Sequence, residues 1–144
     1  QLDAKEAVPL LAAALTDSSA DVRSNAAWGI GSIGAEHAPA ALISALKDPA
    51  SGVREKAAWA LGTISDPAGV PGLRDALKDA SSDVRKAALW ALTQMDDDAA
   101  RAALLSALQG GTAEERANAA RALGHGGNPW PWPEPRPEPR PFPD

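Results

Sequence analysis

Residues 21–34 read DVRSNAAWGIGSIG, and the same frame returns as GVREKAAWALGTIS at 52–65, DVRKAALWALTQMD at 83–96 and EERANAARALGHGG at 114–127. The spacing is 31 residues throughout, so Arg23, Arg54, Arg85 and Arg116 share one register. Upstream of each segment, Leu11, Leu42, Leu73 and Leu104 share a second register, and Leu15, Leu46, Leu77 and Leu108 a third. Within the frame, Val22, Ala26, Ile30 and Ile33 fall on one stripe of a 3.6-residue helix, with no alternation of the strand type. A fixed period of this length with helical patterning predicts helical hairpins that bury their apolar faces against one another rather than around a single centre.

Punctuation divides each unit into two helices. The first is expected over 5–16, 36–47, 67–78 and 98–109, opened by Asp3 with Glu6 three residues on, or by Asp66 followed by Pro67. The second is expected over 20–33, 51–64, 82–95 and 113–124, preceded by turns whose serines can accept from orphan N–H groups. Alanines at 26, 27, 57, 58, 119 and 120 are small enough for neighbouring helices to approach closely.

The frame D-x-x-V-R-x-x-A-A-x-A-L-G-x-I-G, preceded by a leucine-rich helix, resembles the short bacterial HEAT-like repeat of the phycobilisome-lyase type, which is also the repeat of artificial alpha-helical repeat proteins. The resemblance covers residues 3 to about 126. It implies an all-α fold: a right-handed alpha solenoid of four 31-residue hairpins, units approximately 3–34, 35–65, 66–96 and 97–126. It implies further that the second helices line a concave face. In such repeats an aspartate of the inter-helix turn pairs with the arginine of the next helix, which here places Asp17 with Arg23, Asp48 with Arg54 and Asp79 with Arg85. Gly110 stands where the fourth aspartate would be.

Trp28, Trp59 and Trp90 also repeat at the unit spacing, and at about 100° per residue each lies 160 to 200° from the stripe of core positions. They are expected to point away from the core as a binding stripe, because an exposed apolar ladder is costly unless something covers it. Arg121 holds the same position in the fourth unit, and Ser24, Asn25, Glu55, Lys56, Lys86 and Asn118 lie beside the row.

Residues 127–144 form a different segment, in which proline occupies every odd position from 129 to 143. Alternating proline forbids helix and ladder pairing and favours an extended polyproline II tail rising about 3.1 Å per residue, so that Trp130, Pro133, Arg136, Pro139 and Phe142 share a face at intervals of roughly 9 Å. Stacked helices lie about 8–10 Å apart, a period close to that of the tail. Trp130, Trp132, Arg136, Arg140 and Phe142 are therefore the expected ligand side chains for a tryptophan-lined groove. No two tail prolines are three apart, so the P-x-x-P pattern of SH3 ligands does not occur. Gly-rich residues 124–128 would let the tail reach its own groove or that of a neighbour. The first helix carries Leu10 where the other units have Ala41, Gly72 and Ala103, an outer face that reads as uncapped and favours head-to-tail association into a polymer or filament.

The remaining features restrict the alternatives. A net charge of −5 disfavours nucleic acid, and the chain has no cysteine for a disulfide, thiolate nucleophile or thiolate metal site. His37 and His125 have no nucleophile or carboxylate at motif spacing, and the acidic run at 96–98 reads as a helix cap rather than a cation site. The sequence thus predicts no catalytic residue, metal or cofactor, and no membrane insertion. Its start lacks the basic and apolar segments of a signal peptide and an initiator Met, which is compatible with a processed product; an extracellular or cell-surface bacterial setting is favoured over a cytoplasmic one. The expected partners are copies of the chain itself, with a foreign peptide or protein as the alternative occupant of the groove. A helical array ending in a Trp/Pro-rich tail also resembles the C-terminal part of some membrane-anchored bacterial metallopeptidases, although no H-E-x-x-H is present.

Overall fold

The computed structural model describes residues 2–124. Eight α-helices follow one another, with no strand among the described residues: α1 Ala4–Ala14, α2 Ala20–Ser32, α3 Ala40–Ser44, α4 Ser51–Ile64, α5 Val70–Ala76, α6 Ser82–Thr93, α7 Asp98–Gln109 and α8 Ala113–Gly124. Single 3-10 turns at Ala45–Lys47 and Pro67–Gly69 extend α3 and precede α5. The even-numbered helices stack on one another in chain order, and the odd-numbered helices pack beside them to form an all-helical solenoid.

The core follows the repeat. Ile30, Leu42, Leu61, Leu73, Leu92, Val53 and Val84 are fully buried, each from a register position that recurs along the chain. Val22 departs from its stripe: it is 39% exposed, while Val53 and Val84 at the same register are at 1% and 0%. These two are covered by the preceding unit, whereas nothing among the described residues precedes the first. Between second helices, the contact depends on glycine. A Cβ on Gly31 would lie 2.9 Å from Ala60 Cα, and one on Gly62 2.7 Å from Ala91 Cα, so the α2–α4 and α4–α6 backbones meet at a distance that only glycine permits.

Two local expectations change. The helix expected over 36–47 begins only at Ala40, because Pro39 excludes the preceding Ala38 from the helical region and stands as the N-cap itself. The serines of the inter-helix turns do not cap: Ser19 and Ser81 make no side-chain cap bond. Instead Oδ1 of Asp17, Asp48 and Asp79 accepts the N–H two residues on, at 2.8, 2.9 and 2.9 Å. Elsewhere capping follows the residues expected. Asp3 and Glu6 form a reciprocal box, Asp66 accepts from Ala68, and Asp97 accepts from Ala100. Thr112 and Glu115 close a second box at α8.

Candidate functional site

The ladder of charges connects units rather than closing each one. Arg23 grips Asp48 with a fork, Nε to Oδ2 at 2.8 Å and Nη2 to Oδ1 at 3.1 Å, and Arg54 grips Asp79 likewise at 2.9 and 3.1 Å. The expected pairs within a unit, Asp17 with Arg23, Asp48 with Arg54 and Asp79 with Arg85, exist only through main-chain carbonyls. Nη1 of each arginine donates to the aspartate C=O at 2.7 to 2.8 Å. The reason is geometric: the aspartate carboxylate is turned towards its own turn N–H, which presents its free edge to the preceding unit. Each arginine thus ties its own turn to the next one. In the fourth unit, where Gly110 replaces aspartate, Arg85 reaches Glu114 Oε1 at 4.0 Å instead.

These contacts set the carboxylate acidities. The Arg23 fork, aided by the Ala50 N–H, holds Asp48 below its ordinary value. Burial alone would raise Asp79, but the Arg54 fork and the Ser81 N–H outweigh it and lower the group. The Ala68 and Ala38 N–H groups lower Asp66, which bridges two units by accepting from Ala38 at 2.9 Å. Burial pushes Glu55 up.

The tryptophan row is graded rather than uniformly exposed. Trp28 is 53% exposed, Trp59 is half-buried and Trp90 is only 8% exposed. Against the expectation that all three rings point away from the core, Trp90 belongs to it and Trp59 packs against it, because the ring of one unit is received by the second helix of the unit before. Cζ3 of Trp59 lies 2.7 Å from where a Gly31 Cβ would stand, and Cζ3 of Trp90 stands in the same relation to Gly62. Trp28 and Trp59 stack with centroids 6.5 Å apart and planes 9° from parallel. Asn25, Lys86 and Arg121 are exposed beside this row, and Lys56 and Asn118 are half-buried. The expected ligand residues Trp130, Trp132, Arg136, Arg140 and Phe142 lie outside the described residues.

Sequence reasoning passed over the glycines that receive the rings. The signal was present: WGIG and WALG put glycine three residues after Trp28 and Trp59, in the two units followed by another tryptophan unit. Thr93 takes that place where the next unit carries Arg121.

A family model described as HEAT repeats matches residues 1–57 and 39–124. The chain belongs to the HEAT repeat family. Among solved structures, this HEAT chain is similar to the complex of CpcE and CpcF of phycocyanin lyase from Nostoc sp. PCC7120, with 31% identity over 86% of this chain and 54% of that one, at a TM-score of 0.66. It is also similar to human deoxyhypusine hydroxylase, with 28% identity over 81% of this chain and 42% of the other, at 0.68. A designed armadillo repeat protein in complex with the peptide (KR)4 shares the fold at 22% identity and a TM-score of 0.58, over 85% of this chain and 68% of the designed one. The chain thus spans about half the length of the first two. No curated protein matched its sequence. No helix among the described residues is long and apolar enough to cross a membrane.

Proposed function

We propose that this HEAT array is a non-catalytic self-assembly module in which residues 128–144 of one copy lie along the tryptophan row of an adjacent copy. The repeat fold is one typical of protein–protein interaction, and the similar CpcE is found in complex with CpcF. The observation that carries the reading is the Trp28–Trp59 stack, whose outer ring is half exposed on the second-helix face. Flat exposed indoles suit proline rings, because an extended proline-rich segment loses less conformational entropy on binding than a flexible one. The aromatic part of this surface open to the tail is around Trp28 and the edge of Trp59, with Asn25, Lys86 and Arg121 exposed beside it.

Electron microscopy of the full chain beside a version ending at Gly127 tests this at matched concentration. Filaments or chains of particles in the first sample and not in the second are the expected result. Identical single particles in both would overturn the self-assembly reading. Tight calorimetric binding of an unrelated proline-rich peptide, but not of the 128–144 peptide, would favour a foreign ligand.

A further inference from the structure

The solenoid's two end faces are complementary, and the complementarity is in register. Each interior junction has the same parts: a ladder arginine meets the aspartate 25 residues on, and a shelf glycine receives the tryptophan of the following unit. Among the described residues, the fourth unit carries both the arginine and the glycine without their partners. Arg116 has the ladder position, but among the described residues its side chain donates to Gly111 O and to no carboxylate, and it is exposed, whereas the side chains of Arg23 and Arg54 are 15% and 16% exposed. Gly124 has the shelf position, and a Cβ there would meet nothing within 4 Å among the described residues. Leu123, at the register where Ile30, Leu61 and Leu92 are fully buried, is 45% exposed.

The first unit carries the matching acceptors. The Asp17 carboxylate is held by the Ser19 N–H in the same way as Asp48 and Asp79 are held, yet no arginine fork reaches it among the described residues. Trp28 and Val22 stand exposed, whereas at the same registers Val53, Val84 and Trp90 are buried and Trp59 is half-buried.

We infer that a second copy of this chain docks its first unit onto the fourth unit of the one before, continuing the repeat across the junction. Counting on at the 31-residue period, the residue that Arg116 meets in the next copy is Asp17, and the ring that Gly124 receives is Trp28. Asp21 follows as a second acceptor, in the place where Glu114 stands near Arg85. Arg121 occupies the position from which Trp28 stacks on Trp59, so its planar guanidinium lies against the incoming indole. The helix backbones can approach here as they do inside, because Gly29 of the incoming α2 takes the place of Ala60 and Ala91. The junction differs from an interior one on the side of the first helices. There Leu10, 62% exposed, replaces the small Ala41, Gly72 and Ala103, which separates α1 from α7 and tilts successive copies. The partner surface is heterologous, so association runs head to tail.

This inference rests on the self-assembly reading and names the surface that the tail would reinforce. The test is sedimentation velocity over a concentration series, on the full chain and on the version ending at Gly127. Both gain mass with concentration, the shorter one at higher concentration. Arg116→Asp and Asp17→Arg each place like charges at the junction and weaken association by more than about tenfold. Mixing the two variants makes both mixed junctions complementary, while each variant with itself stays repulsive, so growth recovers with the two variants alternating. Recovery on mixing also excludes misfolding as the cause. Gly124→Leu, at a position where a Cβ meets nothing among the described residues, blocks the shelf and abolishes association with an unchanged circular dichroism spectrum. Undiminished association of all three variants would overturn the proposal, as would no recovery on mixing. If the tail reading alone is wrong, both chain lengths associate equally and Gly124→Leu still disrupts both. If the end-face reading alone is wrong, truncation abolishes association and Gly124→Leu has no effect.

Discussion

At the residue scale, glycine and tryptophan form a pair across units. The Gly62 position cannot accept even a methyl group, because Ala91 Cα and the Trp90 ring are both within 2.7 Å of a Cβ built there. Gly62→Ala should therefore destabilise by about 1–3 kcal/mol in urea denaturation, as overpacking does. Gly52→Ala, in open space on α4, should instead stabilise by about 0.5–1 kcal/mol through helix propensity. The tryptophans should follow their burial. Trp90→Ala costs about 3–5 kcal/mol, whereas Trp28→Ala stays within about 1 kcal/mol of the parent, with Trp59→Ala between them. Helical periodicity alone made all three rings equivalent. It reports where a side chain leaves its own helix, not what the neighbouring unit places in front of it, and the shelf glycines were needed to see that.

At the element scale, the order of hairpins and the buried leucine registers were legible, because a 31-residue period and a 3.6-residue stripe leave few other solutions. What was not legible was the partner of each turn aspartate. Arg23 is far closer in sequence to Asp17, 6 residues away, than to Asp48, 25 away, and only the orientation imposed by the turn N–H directs each carboxylate to the arginine of the other unit. The ladder has a pH consequence. Asp48, Asp66 and Asp79 all have folded pKa values below their unfolded ones, so their contribution is fully present above the unfolded value of about 4 and is lost as pH falls through the folded values. Thermal melts between pH 6 and pH 2 should show a falling midpoint below pH 4. In Asp48→Asn that fall should be shallower, since one of the three linked protons is gone. A parallel fall in the two proteins would mean that the ladder does not carry the acid sensitivity.

At the scale of the whole molecule, a solenoid is stabilised by nearest-neighbour contacts, so its middle is held from both sides and its ends from one. α8 packs less extensively on α6 than α4 does on α2, consistent with Thr93 standing where a shelf glycine would allow close approach. In dilute solution, amides of α8 should therefore exchange faster than those of α4. Docking of a second copy would raise protection at α2 and α8 together, because these two helices form the junction. The exposed Trp28, Val22 and Leu123 then have one common explanation. The most direct measurement is the sedimentation mass of the intact chain across a wide range of concentration. The account predicts growth from the 14.8 kDa chain through successive multiples, without a preferred closed size. A mass that stays at one chain over the whole range would contradict it.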